Sequence, residues 1–452
     1  MDAGRDNEFN LESFEAGDSP VLTGRMLVLT DVAQSKSGTV TARSLEQASK
    51  DLASAIGVDV AHSSEFVEED LIESLDGTVT AERAMMLDDL GIAVVESHEE
   101  FAPRLASAAA ESTSSIVYSE PEQIMFALND YLAGYRDGVN ALSGAVLGRT
   151  TGAASGAIAG LSAAQSFEDD DTHTWGLQAV GATGCTDHGG GARVAVLDTG
   201  VEFTHPDLAH AVAVERSRSF INGEAVDDLH GHGTHCCGTV AGRLQPANAP
   251  RFGVAPDAEL FVGKVLSNAG SGADSGILAG IEWAIQNDCH VISMSLGSAA
   301  EPNRRFSQVY ERAASIALSR GTIIVAAAGN SSSRPNRIAP VGRPANCPSI
   351  LAVAALDTAL EPARFSSAAR TGVGRVALSG PGVGVLSAAL GGGYVRFNGT
   401  SMATPHVAGV AAAIHGTEGS LGADLALDLL GRARPLGAAN ADVGAGLTHV
   451  AY

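Results

Sequence analysis

Four polar residues stand in this chain where acid–base and nucleophilic chemistry could be done: Asp198, His232, Asn330 and Ser401. A serine hydroxyl is a weak nucleophile. It needs a neutral imidazole to take its proton, and a carboxylate to fix that imidazole's tautomer and orientation. Asp198, His232 and Ser401 supply these three types, in the chain order Asp, His, Ser. Asn330 adds a side-chain amide able to donate a hydrogen bond to the oxyanion formed when a hydroxyl adds to a carbonyl. Singly, each has a plain reading: a strand-end carboxylate capping a turn, a structural histidine, a helix N-cap serine. The chemistry lies in the combination.

Each of the four falls where a strand ends or a helix begins, the edge at which open α/β sheets form sites. Val194–Leu197 is a continuous apolar run that delivers Asp198, a carboxylate that must find a partner or protonate once desolvated. Gly231 and Gly233 flank His232 at the start of a helix of small residues. The apolar run Ile323–Val325 leads to Gly329 and Asn330. Ser401 follows Gly399 and Thr400 and opens another small-residue helix, whose free N–H groups and positive dipole end suit an anionic intermediate. Further apolar runs at Leu260–Val262, Val291–Ile292 and Ile350–Val353 imply strands buried on both faces. The fold class expected for residues 175–452 is therefore α/β, a parallel sheet covered by helices.

The 452 residues carry 28 Lys and Arg against 52 Asp and Glu, a net charge of −24. Phosphate binding needs a cationic footprint, so neither a nucleic-acid nor a membrane partner is expected. Residues 1–128 hold 25 acidic and 7 basic residues (net −18), leaving 27 and 21 (net −6) for residues 129–452, so the two parts read as different objects. Residues 1–21 read as a polar arm. Residues 22–128 read as α+β, with strands at Met26–Leu29, near 58–66, at Ile92–Val95 and at Ile116–Tyr118, and helices at 42–56, 80–90 and 99–112. Its histidines, His62 and His98, read as surface residues. Residues 129–174 read as a linker: a helix at 129–147, a Gly/Ala/Ser stretch at 142–165 broken by Arg149, and the acidic run Glu168–Asp171. No basic and apolar leader is visible, so localisation stays open between the cytoplasm, non-classical export and a leader outside this sequence. Five cysteines leave at least one unpaired in a monomer. The lack of a CxxC pair argues against zinc, and one disulfide stays open.

From about residue 175 to 420 the chain resembles the subtilisin-like serine peptidases, most closely the proteinase K-like group. The matching motifs are VLDTGVEFTHPDL (196–208), HGHGTHCCGTVAG (230–242), GVAPDAEL (253–260), NAGSGADSGILAGIEWAI (268–285), VISMSLGS (291–298), IVAAAGNSS (324–332) and NGTSMATPHVAG (398–409). The resemblance implies a three-layer subtilisin-like fold and a monomeric endopeptidase acting on polypeptides. Ser401 would be the nucleophile, His232 the general base and acid, and Asp198 its orienter. Asn330 and the Ser401 backbone N–H would be the oxyanion donors. Ser295, Leu296 and Gly297 would line one wall of the first specificity pocket and Ala327, Ala328 and Gly329 the other; Ser271 and Gly272 would form the edge to which substrate adds as a strand. Small walls imply an apolar residue before the cut bond. Asp274, where relatives often carry a large apolar residue, implies an outer subsite tilted towards polar or basic partners. Cys236 would lie beneath the histidine, where mercurials would inhibit. No cofactor is required for the chemistry. Asp207 matches a calcium ligand of the family, but RLQPANAPRF (243–252) departs from the family's calcium loop, so calcium and a purely structural Asp207 both stay open.

Residues 22–128 resemble the family's prodomain, a ferredoxin-like α+β chaperone and intramolecular inhibitor. The segment IVYSEPEQIMFAL (116–128) resembles the tail that enters the active-site cleft. This implies a self-processing zymogen cut between Leu128 and Asn129, with Leu128 in the first pocket and Met125 further out; the long tether allows a cut anywhere up to Thr174. Two other roles fit the same residues: a dedicated maturation protease with one partner, and an inactive pseudoprotease serving as a binding module.

Overall fold

The computed structural model describes residues 20–33, 40–66, 83–96, 100–128, 166–300, 305–370 and 372–451. Most of the expected arm, the helix at 129–147, the Gly/Ala/Ser stretch, His98 and Asn129 lie outside them.

The N-terminal unit is built on strands β1 (Leu22–Thr30), β2 (Asp59–His62), β3 (Arg83–Leu87), β4 (Ile92–Glu96) and β5 (Ile116–Ala127). They lie side by side as β5-β1-β4-β3-β2, antiparallel except for the β2–β3 pair. This is the expected ferredoxin-like order with one extra edge strand. Helix Ala42–Ile56 follows β1 and buries Ala48, Leu52 and Ile56, one stripe at helical spacing, before Gly57 closes it in the left-handed conformation. Helix Phe101–Ala110 precedes β5 and buries Phe101 and Leu105 on the same sheet face.

Over the described residues 83–90 the expected helix is not formed; Arg83–Leu87 is β3. Its Ala, Met and Leu residues favour helix, but both faces of this strand are covered. Ala84 and Met86 pack under the unit's own helices, while Met85 and Leu87 pack against the second unit. Burial on two faces overrides a weak helix propensity.

The second unit adds β6 (Arg193–Asp198), β7 (Ser217–Ser219), β8 (Glu259–Lys264), β9 (Ser271–Ala273), β10 (Val291–Met294), β11 (Leu296–Gly297), β12 (Ile323–Ala327), β13 (Leu351–Leu356) and β14 (Val376–Pro381), then the hairpin β15 (Val385–Ala389) and β16 (Gly393–Phe397). Seven of these form one parallel sheet in the order β14-β13-β12-β10-β6-β8-β7. Along β6, Val194 and Val196 face one layer, with helices His232–Ala241 and Thr400–Glu418. Ala195 and Leu197 face the other, with helices Asp274–Gln286 and Gln308–Ser319. The sheet thus has three layers, as the continuous apolar runs require. It grows outwards in both directions from β6, so strand order reverses there, and Asp198 stands at that switch point.

β9 and β11 leave the parallel sheet and pair with β5 from either side, joining the two units in a single seven-stranded sheet. The second unit begins earlier than residue 175. Phe167 packs against its core and donates its N–H to Thr358. Asp169 accepts the Trp175 N–H and pairs with Arg396 at 2.5 Å, and Asp170 accepts the N–H groups of Thr172 and His173. The acidic run is therefore, in part, a docked strap rather than tether. His62 is half-buried, bonded to Asp88 and Ser49. Among the described residues no helix is long and apolar enough to cross a membrane.

All five cysteines are free thiols, so no disulfide forms. Burial pushes Cys236, Cys237, Cys289 and Cys347 well above the usual thiol range, whereas Cys185 is half-buried. In the folded chain a thiol reagent should therefore titrate Cys185 alone at neutral pH, and all five cysteines after denaturation; counting modified thiols by mass checks this. Burial of Cys236 thus runs against the inhibition by mercurials expected from the sequence.

The units also meet at Glu282, whose buried carboxylate accepts the Asp89 N–H at 2.7 Å, while Asp89 pairs with Arg320 at 2.6 Å. Burial, reinforced by Asp89, pushes Glu282 from 4.5 up to about 8. Undocked, the group ionises near 4.5; docked, it holds its proton until about 8. Docking therefore weakens as pH rises through that window and levels off above it. Asp274, pushed to about 6 by burial, acts the same way over a lower range. In the full-length chain, the melting midpoint of the N-terminal unit should be lower at pH 8 than at pH 6, and Glu282→Gln should flatten that slope.

Candidate active site

Asp198 is fully buried at the end of β6, where its Oδ1 accepts the Thr199 N–H and the Nδ1–H of His232, both at 2.7 Å. With Nδ1 donating, the neutral imidazole carries its lone pair on Nε2. That nitrogen is buried and has no hydrogen-bond partner among the described residues. His232 opens its helix after Gly231, whose φ of +93° suits glycine. Gly233 must be small as well, since a Cβ there would meet the Gly200 carbonyl oxygen at 2.2 Å. The helix start is thereby pressed onto the turn that follows Asp198.

Ser401 is the second residue of helix Thr400–Glu418, which packs against helix His232–Ala241. Its hydroxyl donates to the carbonyl oxygen of Leu128, and it lies 3.1 Å from the Ser295 carbonyl oxygen. The Asn330 amide donates to the same Leu128 oxygen at 2.7 Å. The Asn330 side chain is oriented by its own carbonyl, which accepts the N–H and hydroxyl of Thr400 at 2.9 and 2.8 Å. Gly399 leaves room for this encounter: a Cβ there would sit 2.6 Å from the Leu128 oxygen. The Ser401 backbone N–H, expected as a second donor, is not among the described donors to that oxygen. The oxygen belongs to a planar ground-state carbonyl, whereas an oxyanion hole is aimed at the tetrahedral position.

Leu128 arrives at the end of β5, bonded along both edges. Phe126 and Met125 pair with Ser271 and Gly272; Ala127 and Phe126 pair with Leu296 and Gly297. The Ala127 N–H donates to Gly270 at 2.9 Å and the Leu128 N–H to Ser295 at 3.2 Å. The Leu128 side chain lies against Gly297, where a Cβ would come within 3.3 Å of Cδ1. Ala327 pairs with Val353 in the parallel sheet and Ala328 donates to the same residue, so both are fixed at the end of β12 beside Gly329.

Cys236 Sγ lies 4.0 Å from His232 Nδ1 and 3.7 Å from the Ser401 carbonyl oxygen. The imidazole and the serine thus share a buried neighbour, as expected beneath the histidine. Asp207 is buried too. Its Oδ2 accepts the Tyr394 hydroxyl at 2.6 Å, and its Oδ1, without a hydrogen bond among the described residues, faces Arg243 Nε at 3.9 Å. Calcium needs a cage of six to eight oxygens. A phenol donating its proton and a guanidinium are not such a cage, so these residues do not fit the ion.

A model of the subtilase family matches residues 189–425. The chain belongs to the subtilase family. This subtilase is 41% identical over 247 residues to the thermostable alkaline protease of Halalkalibacterium halodurans, a match covering 54% of this chain and 63% of that protein. It is 42% identical to the M-protease of Shouchella clausii over 53% of this chain and 59% of that one. It is also 42% identical to subtilisin Savinase of Lederbergia lenta, over 53% of this chain and 83% of that one. The chain thus spans about three fifths of the first two relatives.

One residue of this subtilase's site escaped the sequence reading. Asp228 accepts the Thr199 hydroxyl and the N–H groups of His230 and Gly231 on Oδ1, and the N–H and hydroxyl of Thr234 on Oδ2, all at 2.7–2.9 Å. Thr199 Oγ1 in turn accepts the Gly233 N–H at 2.8 Å. This buried carboxylate ties the turn carrying Asp198 to the helix start carrying His232. An aspartate in a loop ahead of a helix is an ordinary cap signal, and nothing in the sequence says that it also reaches Thr199. Asp228→Ala should lower stability by about 2–4 kcal/mol, because buried N–H groups lose their acceptor; denaturant unfolding of the intact chain checks this.

Proposed function

We propose that this subtilase is a serine endopeptidase made as a self-processing zymogen, with residues 22–128 as its prodomain and the cut between Leu128 and Asn129. The single observation that carries the reading is the Leu128 carbonyl, held by the Asn330 amide and touched by the Ser401 hydroxyl. A peptide carbonyl polarised by a donor, with an alcohol against it, is the ground state for acyl transfer.

The proposed route begins when the Ser401 hydroxyl turns from the carbonyl oxygen towards His232 Nε2, the buried acceptor left free by the Nδ1–Asp198 bond. Oγ then adds to the carbonyl carbon as its proton passes to Nε2. The oxyanion is stabilised by Asn330, and the imidazolium by Asp198. His232 returns the proton to the leaving amine, and water, activated in the same way, releases the acyl-enzyme. The chemistry asks for no cofactor. The Leu128 side chain against Gly297 supports a preference for apolar residues before the cut bond, and the pairing of β5 with β9 and β11 supports extended polypeptide substrates. The same pairing supports the N-terminal unit as an intramolecular inhibitor, since substrate would need the edges that β5 fills.

Incubation of the wild-type chain should release a fragment whose N-terminal sequence begins at Asn129, whereas Ser401→Ala should stay whole. Processing by Ser401→Ala at the wild-type rate would sink the reading. Asn330→Ala should slow turnover of an apolar-site peptide by roughly 10²–10³-fold, the loss known for such a donor in subtilisin itself rather than one derived from this geometry.

A further inference from the structure

Counting back from Leu128 as the first residue before the cut, Gln123 is the sixth, Glu122 the seventh and Glu120 the ninth. Side chains alternate along a strand, so Glu120 and Glu122 share a face of β5, and that face meets the second unit. Both are buried, 5% and 0% exposed. Glu122 Oε1 accepts the N–H of Ser275, in the first turn of helix Asp274–Gln286, at 2.8 Å, and Oε2 accepts the Thr23 hydroxyl. Glu120 Oε1 accepts the hydroxyl of Ser307, the N-cap of helix Gln308–Ser319, and Arg343 Nη2 at 3.0 Å.

Arg343 is 8% exposed. It also bonds Asp274 Oδ2 at 2.7 Å and stands 5.3 Å over the Tyr310 ring, and its buried Nε has no hydrogen-bond partner among the described residues. Asp274 spends its other contacts on the Gln123 backbone N–H and the Tyr310 hydroxyl, each at 2.9 Å. In the docked state the basic partner of Asp274 is therefore Arg343 of the same unit.

If cleavage after Leu128 lets β5 depart, three donors are left behind in the second unit: the Ser275 N–H, the Ser307 hydroxyl and the Arg343 guanidinium. Two belong to the starts of helices 13 and 12 residues long, where the dipole favours negative charge. Their separation matches the two-residue step of an extended strand, since one strand fills both at once. We propose that this face is a substrate exosite, two outer subsites that select glutamate at the seventh and ninth positions before the cut bond. The favoured substrates are then acidic, extended polypeptide segments. The inference rests on the endopeptidase reading and deepens it.

The test uses enzyme matured from the full chain and peptides carrying the sequence of residues 119–128 ahead of a short leaving segment. The glutamate peptide should show kcat/KM about tenfold above that of a peptide with Gln at both positions, mostly through KM, from two charge-assisted contacts at a solvated face. Singly substituted peptides should each lose about threefold, and high salt should shrink the difference. Arg343→Gln should abolish the preference at the ninth position and keep that at the seventh. A four-residue apolar peptide, too short to reach this face, should be cut equally by wild type and Arg343→Gln. Equal kcat/KM for the Glu and Gln peptides in wild type, or a ninth-position preference untouched by Arg343→Gln, overturns the exosite while leaving the protease intact. Failure to cut the four-residue peptide overturns the protease reading and the exosite with it.

Discussion

The functional geometry depends on one constraint: an extended strand, β5, is hydrogen-bonded along both edges and stops at a fixed point. Pairing with β9 and β11 sets its register, and register sets which carbonyl meets Asn330 and Ser401. A slip of one residue would turn the face carrying Glu120 and Glu122 away from Arg343 and the two helix starts. The ends of the segment therefore reinforce each other. Buried glutamates upstream fix the register that the site downstream requires.

The carboxylates near this site are buried, and each meets the same physical demand differently. Asp198 splits its hydrogen bonds between a backbone N–H and an imidazole. Asp228 takes five contacts and becomes a structural node. Asp274 is held between a guanidinium, a phenol and a backbone N–H. An unpaired charge in such surroundings would protonate or unfold its environment. These specific donors explain how acidic groups survive in a small-residue interior, although the buried Oδ2 of Asp198 has no hydrogen-bond partner among the described residues. Lys264, also buried, completes the pattern by donating to the Thr199 carbonyl and pairing with Glu224 at 3.2 Å.

The two-faced burial of β3 has the same origin as that of β6. A strand covered on both sides loses the alternation that makes strands readable. In β6 the residues were Val, Ala and Leu in a run too short for a helix, and the strand reading stood. In β3 the run was Ala-Met-Met-Leu beside an acidic turn, a composition that favours helix, and the second covering layer came from a part of the chain some two hundred residues away. The acidic run at 168–171 misled for a related reason: polar residues look like tether until their acceptors meet specific N–H groups.

By itself, the sequence determined the parallel sheet and the four residue types of the site, because continuous apolar runs and glycines around single polar residues are local facts. It also carried the tail 116–128 into the cleft through resemblance. Only the tertiary structure decided that Asp228 spans from Thr199 to Thr234, that Asp207 meets Tyr394 and Arg243, and that Arg343 sits between Glu120 and Asp274. These are contacts between segments far apart in the chain, and a side chain's partner at that range is fixed by packing, which no local pattern of residues encodes.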